Sequence, residues 1–174
     1  MSVTVSGGTK IASRVAELKR KFRDAPTVLI GVPKSAGNAK ERYVKANGEV
    51  VEKGSTLHTA TVMAALEFGT KTQPERAPLR SGIENAKPLI LKLYNKMMPD
   101  AIEGKIEIES IQRMVGDLCV GSVVDFMSNS PPPPNAPSTI KAKGSATTTI
   151  NSGHTRQSIT YVIAPSGENV EEGL

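Results

Sequence analysis

Residues 128–138 read "SNSPPPPNAPS", and the four consecutive prolines Pro131–Pro134 constrain the fold more than any other feature of the chain. Proline has no N–H and a fixed φ, so such a run cannot continue a helix or sit inside a ladder of strands. It adopts extended polyproline II, which is stiff and makes no internal hydrogen bonds. The run is therefore read as a rigid strap across the surface, in preference to a ligand for a proline-recognising domain. It also ends whatever precedes it. Ile108, Ile111, Met114, Val115, Leu118, Ser122 and Phe126 mark the clearest amphipathic helix in the sequence, predicted as the longest, over about 105–127. Met114, Cys119 and Met127 in that region read as packing residues.

The core this helix joins has to be aliphatic. Only 3% of the 174 residues are aromatic and tryptophan is absent, so Ile, Leu, Val, Met and Ala must fill it. The length suits a single domain. One cysteine, Cys119, excludes an intrachain disulfide framework and fits a reducing compartment. Neither a secretory leader pattern nor a membrane-length apolar run is visible, so a soluble intracellular chain is expected.

Upstream, Ile11, Val15, Leu18 and Phe22 form one helical stripe that ends before Pro26. "TVLIGV", 27–32, reads as a buried strand and "PKSAGNAK" as a loop. Asn47–Gly48 lies between valine-rich runs and predicts a hairpin with a type I′ turn. Ser55 is the expected cap of a helix carrying Leu57, Val62, Ala65 and Leu66, with Gly69 as its left-handed stop. After a proline-bearing loop at 70–80, a stripe from Ile83 to Met97 predicts another helix, kinked or divided at Pro88. "RQSITYVIA" returns to β character, with Ile159, Tyr161 and Ile163 on one face. The predicted class is α+β, a small mixed or antiparallel sheet packed by three to four helices. One domain spans 9–165, between a flexible segment at 1–8 and an acidic tail at 166–174.

Chemistry is sparse. His58 and His154 are the only histidines, and neither has a second ligand at metal-binding spacing. Cys119 falls in a helix predicted to be buried, where thiols are unreactive. "GVPKSAG" follows a strand but lacks the Gly-Lys-Ser/Thr ending of a phosphate loop. No carboxylate pair is placed for acid–base work. No enzyme, metal or cofactor is expected. The net charge of +5 fits either anionic partners or simply a soluble surface, and it is unevenly spread. Lys10, Arg14, Lys19, Arg20, Lys21 and Arg23 crowd the first helix against Glu17 alone, while Glu168, Glu171 and Glu172 sit near the end. A basic start and an acidic end suit head-to-tail contacts between copies. The basic residues read first as the solvated face of an amphipathic helix and also fit non-specific binding of nucleic acid, although base-stacking aromatics are too few for sequence reading.

Two segments together carry a family resemblance. "AALEFGTKTQPERAPLRSGIENAKPLI", 64–90, holds Glu67-Phe68-Gly69-Thr70, a Pro/Arg-rich loop that includes Arg76, then Pro78-Leu79-Arg80 entering a long helix. "STIKAKGS…TTTINSGHTRQSITYVI", 138–163, holds Thr139-Ile140, Lys143-Gly144-Ser145, Ile150-Asn151-Ser152-Gly153 and Ser158-Ile159-Thr160, preceded by Pro137. In their order and spacing these segments resemble the neck or tail-completion (virion morphogenesis) proteins of tailed bacteriophages, over about residues 27–163. Three positions depart from the family's pattern. Pro78 lacks the usual following Phe, Asn151-Ser152 replaces Asp-Thr, and Thr155 replaces a leucine. Within the second segment, Asn151 and Ser152 are expected to bond nearby backbone while Gly153 takes a conformation other residues resist, giving a shaped strap and turn.

The resemblance implies a structural virion protein. Copies would form a ring, with six the implied count, at the head–tail neck around the DNA channel. Its partners would be the head connector and the tail terminator or tube proteins, with passing contact with double-stranded DNA and no membrane. Assembly would occur in the host bacterial cytoplasm. Expected interface residues are the basic helix, the Asn47–Gly48 tip, Glu67, Phe68, Arg76, Arg80 and the acidic tail, with Phe68 and Arg80 supporting the 70–80 loop from beneath.

Overall fold

The helix that the apolar stripe predicts is the axle of the structure, a computed structural model that describes residues 8–166. It spans Ile108–Ser128 and buries Ile108, Ile111, Val115, Cys119, Val123 and Met127 on one face. Met114, one residue off that face, is 40% exposed and packs less than expected. Among the described residues, five further helices and two separate two-stranded antiparallel sheets surround this axle, an α+β architecture. In chain order these are α1 (Gly8–Arg23), β1 (Thr27–Gly31), β2 (Asn38–Val44), β3 (Val50–His58), α2 (Thr59–Phe68), α3 (Pro78–Glu103), α4 (the axle), α5 (Pro137–Lys143), α6 (His154–Gln157) and β4 (Thr160–Ala164). A 3₁₀ turn at Lys34–Ala36 separates β1 from β2.

The longest helix is α3, with 26 residues against 21 for α4, and it runs unbroken through both Pro88 and Pro99. Of the two outcomes expected at Pro88, a kink or a division, the division does not occur. A proline removes one backbone bond, whereas the flanking residues Ala86 and Ile90 pack into the cluster around α4. That burial along the helix outweighs the single lost bond. The two helices approach closely where Gly82 faces Val123: a Cβ built on Gly82 would lie 2.5 Å from the Val123 Cα. Ser122, on the predicted stripe, instead donates from Oγ to the Gly82 carbonyl at 2.7 Å.

Two apolar clusters share α4. One, around its first half, contains Ala86, Ala101, Ile111 and Val115, with Phe22 of α1 and Val28 of β1 against it. The other, around its second half, joins Val123 and Met127 to Val32, Met63, Leu66 and Ile159. The β1–β4 pair, in register from Thr27↔Ala164 to Gly31↔Thr160, lies on α4. Gly116 supplies the groove, because a Cβ there would sit 2.4 Å from the Tyr161 ring. The predicted alternation does not appear in burial: Ile159, just before β4, is buried, Thr160 to Ile163 are all half-buried, and Ala164 on the other face is buried. Arg156 and Gln157, read as part of that strand, form the short helix α6 instead.

The β2–β3 hairpin stands apart from this layer and turns where Asn47–Gly48 predicts. The turn is longer than a type I′ pair, since Val44↔Val50 is the last pairing and residues 45–49 form the loop. Gly48 alone takes positive φ, at 84°. The Asn47 side chain accepts from the Glu49 N–H at 3.0 Å and closes the loop locally. Ser55 does not cap a helix. The strand continues to His58, and Ser55 Oγ donates to Glu41 Oε1 across the hairpin at 2.8 Å. His58 caps α2 by accepting the Ala60 N–H on Nδ1 at 3.1 Å. Gly69 ends α2 with positive φ but an extended ψ of 175°, outside the left-handed helical region. Glycine is needed there, because a Cβ would meet the Glu75 backbone nitrogen at 2.8 Å.

Candidate functional site

The chain between α4 and β4 folds back over the β2–β3 hairpin, and a cleft of about 620 Å³ opens between them and the 69–77 loop. The proline strap forms one wall, though not as one straight extended segment. It bends at Pro132–Pro133, where the peptide bond is cis, and Pro137 opens the helix α5. Proline suits the first helical position because that N–H has no partner in any helix. Gly144, at φ 67°, closes α5 with its N–H on the Ile140 carbonyl at 2.8 Å.

Prolines offer carbonyls but no N–H, so side chains hold the strap in place. Thr148 Oγ1 donates to the Pro131 carbonyl at 2.8 Å and Thr149 Oγ1 to the Met127 carbonyl at 2.7 Å. Arg76 donates from Nε to the Pro133 carbonyl at 3.1 Å and from Nη2 to Asn135 Oδ1 at 3.2 Å. Asn135 passes the chain on, from Nδ2 to the Thr147 carbonyl at 3.0 Å. Lys143 Nζ donates to that same Thr147 carbonyl and to the Ile150 carbonyl, the latter at 2.8 Å. The far end is tied to the hairpin. The Arg42 N–H donates to Asn151 Oδ1 at 3.2 Å and Ser152 Oγ to the Lys40 carbonyl at 2.7 Å. These two bonds reach across to β2, whereas the sequence reading had both side chains bonding nearby backbone. The local bond that does form runs from the His154 N–H to Ser152 Oγ at 3.3 Å, and Gly153 has φ 88°.

The cleft is electrostatically lopsided. Lys40, Arg76, Lys143 and Arg156 line it against one carboxylate, Glu41, which already accepts from Ser55. Arg76 and Lys143 are 7% and 8% exposed. Burial lowers the Arg76 guanidinium's pKa. Burial, and then the charge of Arg76, lowers that of the Lys143 ammonium. Among the described residues neither has a carboxylate partner, since the ion pairs of the protein all lie elsewhere.

The expected interface residues fall into two groups. Lys10, Arg14, Lys19, Arg20 and Arg23 are exposed along α1, with Arg14 paired to Glu17 and Arg23 to Asp24. Lys21 is half-buried and bridges to Glu107 at 3.5 Å. Ile11 and Val15 of the apolar stripe stay 68% and 44% exposed, so only the later part of α1, at Phe22, joins the core. Asn47 and Gly48 sit exposed at the hairpin tip.

Glu67 and Arg76, by contrast, are buried and have internal duties. Glu67 accepts the N–H groups of Leu79 and Arg80 at 2.8 and 3.2 Å, capping α3 from α2. Arg80 braces the loop through Glu75 at 2.7 Å. Phe68 supports nothing from beneath, being 74% exposed. Residues 1–7 and the acidic Glu168, Glu171 and Glu172 lie outside the described residues.

Sequence reasoning passed over Asn135, Thr148 and Thr149 and gave Lys143 no role beyond the motif. The available signal was a run of acceptor-only prolines followed shortly by three consecutive threonines, Thr147–Thr149. Among the described residues, no group of three or more His, Cys, Asp or Glu is placed to hold a metal ion, and no helix is long and apolar enough to cross a membrane. Comparison with protein-family models, curated proteins and solved structures returns no match.

Proposed function

We propose that this chain is a structural component of a tailed-phage virion, assembling with copies of itself as a ring at the head–tail neck around the DNA channel. The observation that carries the reading is the convergence of the two resemblance segments. Arg76, from the first, bonds the strap residues Pro133 and Asn135, and Asn135 bonds Thr147 of the second. Segments far apart in sequence thus build one wall through bonds from side chains to backbone and, at Asn135, to another side chain, which is shape-making rather than catalysis. Surfaces left for partners include Phe68, the hairpin tip and the open half of α1. Heterologous contacts through such separate patches close into rings when the rotation permits, six copies being the number the resemblance implies. Each contact is modest, and cyclic repetition multiplies it. The neighbours in this reading are the head connector and the tail terminator or tube. The protein catalyses nothing, and it reaches the virion from the host cytoplasm.

The test is native mass measurement and electron microscopy of the full chain, alone and with tail tubes, together with a search for it in purified particles. A ring in either setting supports the reading. A chain that stays monomeric throughout and is missing from particles refutes it. The exposed cations of α1 favour a second reading, a non-specific nucleic-acid-binding module. That reading requires DNA affinity of the isolated protein that falls steeply with added salt.

A further inference from the structure

We propose that the cleft beneath the proline strap is a binding site for an oxyanion, a carboxylate or a phosphate group, held between Arg76 and Lys143. Buried cations in proteins are normally paired with an acid, because carbonyl dipoles satisfy the donors without cancelling the charge. Here two of them are joined through Asn135 and the Thr147 carbonyl, each more than nine-tenths buried. The cleft's one carboxylate, Glu41, is engaged by Ser55.

Donors remain for a ligand. Arg76 uses Nε and Nη2, while Nη1 has no partner among the described residues and is not among the buried orphan atoms, so it keeps contact with solvent. Lys143 has two carbonyl partners for three protons. An oxyanion set against both would accept from Nη1 and Nζ and neutralise a charge that now stands uncompensated. Such charge-assisted bonds are the strong ones, and arginine's planar fork favours oxyanions. The depth of the two side chains selects against duplex DNA, whose backbone cannot reach an arginine 7% exposed behind the strap. A free small ion and an acidic side chain of a neighbouring polypeptide both fit. The inference stands apart from the ring reading, since a strict monomer can still bind an anion here.

The experiment is a nitrogen-15 NMR titration of the full chain at constant ionic strength with inorganic phosphate, and separately with an acetylated triglutamate peptide. Sodium chloride serves as the reference. Saturable shifts of the Arg76 Nε–H and of the amides between Thr147 and Asn151 are expected, larger than any in α1. Arg76→Gln and Lys143→Gln should each weaken the affinity about tenfold or more, while Lys19→Gln leaves it unchanged. Saturation by phosphate alone identifies a free ion as the ligand, and competition by the peptide identifies a side-chain carboxylate. Non-saturating shifts spread equally over α1 and the cleft overturn the proposal, as do variants that bind like the parent. If either cleft variant fails to fold, the location and saturation of the shifts in the unaltered protein decide the matter.

Discussion

Replacing Glu67 by alanine tests whether this carboxylate works inside the subunit or at its surface. Helix α3 starts under unusual conditions, because its cap position, Ala77, has no side-chain acceptor and sits at φ 46°. Proline at Pro78 contributes no N–H. The first free donors are therefore those of Leu79 and Arg80, and both are taken by Glu67. Losing an ordinary N-cap side chain costs about 1 kcal/mol, and a hydrogen bond to a charged group is worth about 1.5–3 kcal/mol. Two such bonds to a residue 6% exposed sum to about 3–6 kcal/mol, and rehydration of the freed N–H groups at the helix start lowers the expected loss to about 2–4 kcal/mol. The Arg80–Glu67 ion pair adds nothing to that sum, because Arg80 is 61% exposed and solvent screens it. For a domain this long the loss is a fall in Tm of about 4–16 °C. Glu67→Gln keeps one acceptor and turns an amide N–H₂ towards a backbone donor, so about half the loss is expected. Phe68→Ala is the control, with a change under about 0.5 kcal/mol in the isolated subunit. Urea and thermal melts followed by circular dichroism measure all three. Should Glu67→Ala melt within about 0.5 kcal/mol of the parent, the capping account fails.

Three further outcomes follow from the packing and the charges. Gly82→Ala should destabilise by about 1–3 kcal/mol despite alanine's better helix propensity, because the new methyl meets backbone of Val123; chemical denaturation checks this. Thr149→Val, nearly isosteric, should cost about 1–2 kcal/mol by orphaning the buried Met127 carbonyl, and a spectrum of the folded variant should be otherwise unchanged. Burial raises the Cys119 thiol above its ordinary 9.0 and Tyr94 above 10.0. The folded state then holds those protons after the unfolded chain has released them, so stability is lost as pH rises beyond about 9. Lys143 acts oppositely. Its lowered pKa means the unfolded chain binds the extra proton, so stability is regained as pH climbs towards 10.5. Removing it with Lys143→Met should steepen the alkaline fall seen in denaturant titrations from pH 7 to 10.5.

The parts of the fold that were legible in sequence are those set by local periodicity or turn chemistry. The α4 stripe, the strands β1 and β4 (the latter only over the last five residues of its predicted run) and the Asn47–Gly48 hairpin all belong to that class. Errors arose where a tertiary contact overrode a local signal. Ser55 looked like a cap because a short polar residue preceded an apolar stretch, but pairing with β2 carried the strand on to His58. Pro88 looked like a kink or a break, and packing along α3 kept the helix from dividing there. Glu67 and Arg76 looked like surface charges because charge alone says nothing of burial. Each owes its position to partners far along the chain, Leu79 and Arg80 for one and the strap for the other. The cleft was invisible for the same reason, since none of its bonds repeats with a period.

A chain with 3% aromatic residues has few large side chains with which to anchor a long irregular segment, and this protein divides the task between two kinds of force. Around α4, close backbone approach at Gly82 lets small aliphatic groups fill the space between helices, and Gly116 makes room for one of the few rings, Tyr161. Between residues 129 and 153 there is no ladder and little apolar cover, so hydroxyls, an amide and two cations grip carbonyls one at a time. Such bonds contribute about 1 kcal/mol net each when made, and leave a larger desolvation cost when one partner is lost. The wall they hold is thus fixed in shape yet sensitive to single changes, in contrast to the α3–α4 core, where an aliphatic swap of equal volume is tolerated. Cations can grip carbonyls with or without an acid nearby, but only an acid removes their mutual repulsion. The geometry that shapes the wall therefore also leaves it short of one negative charge.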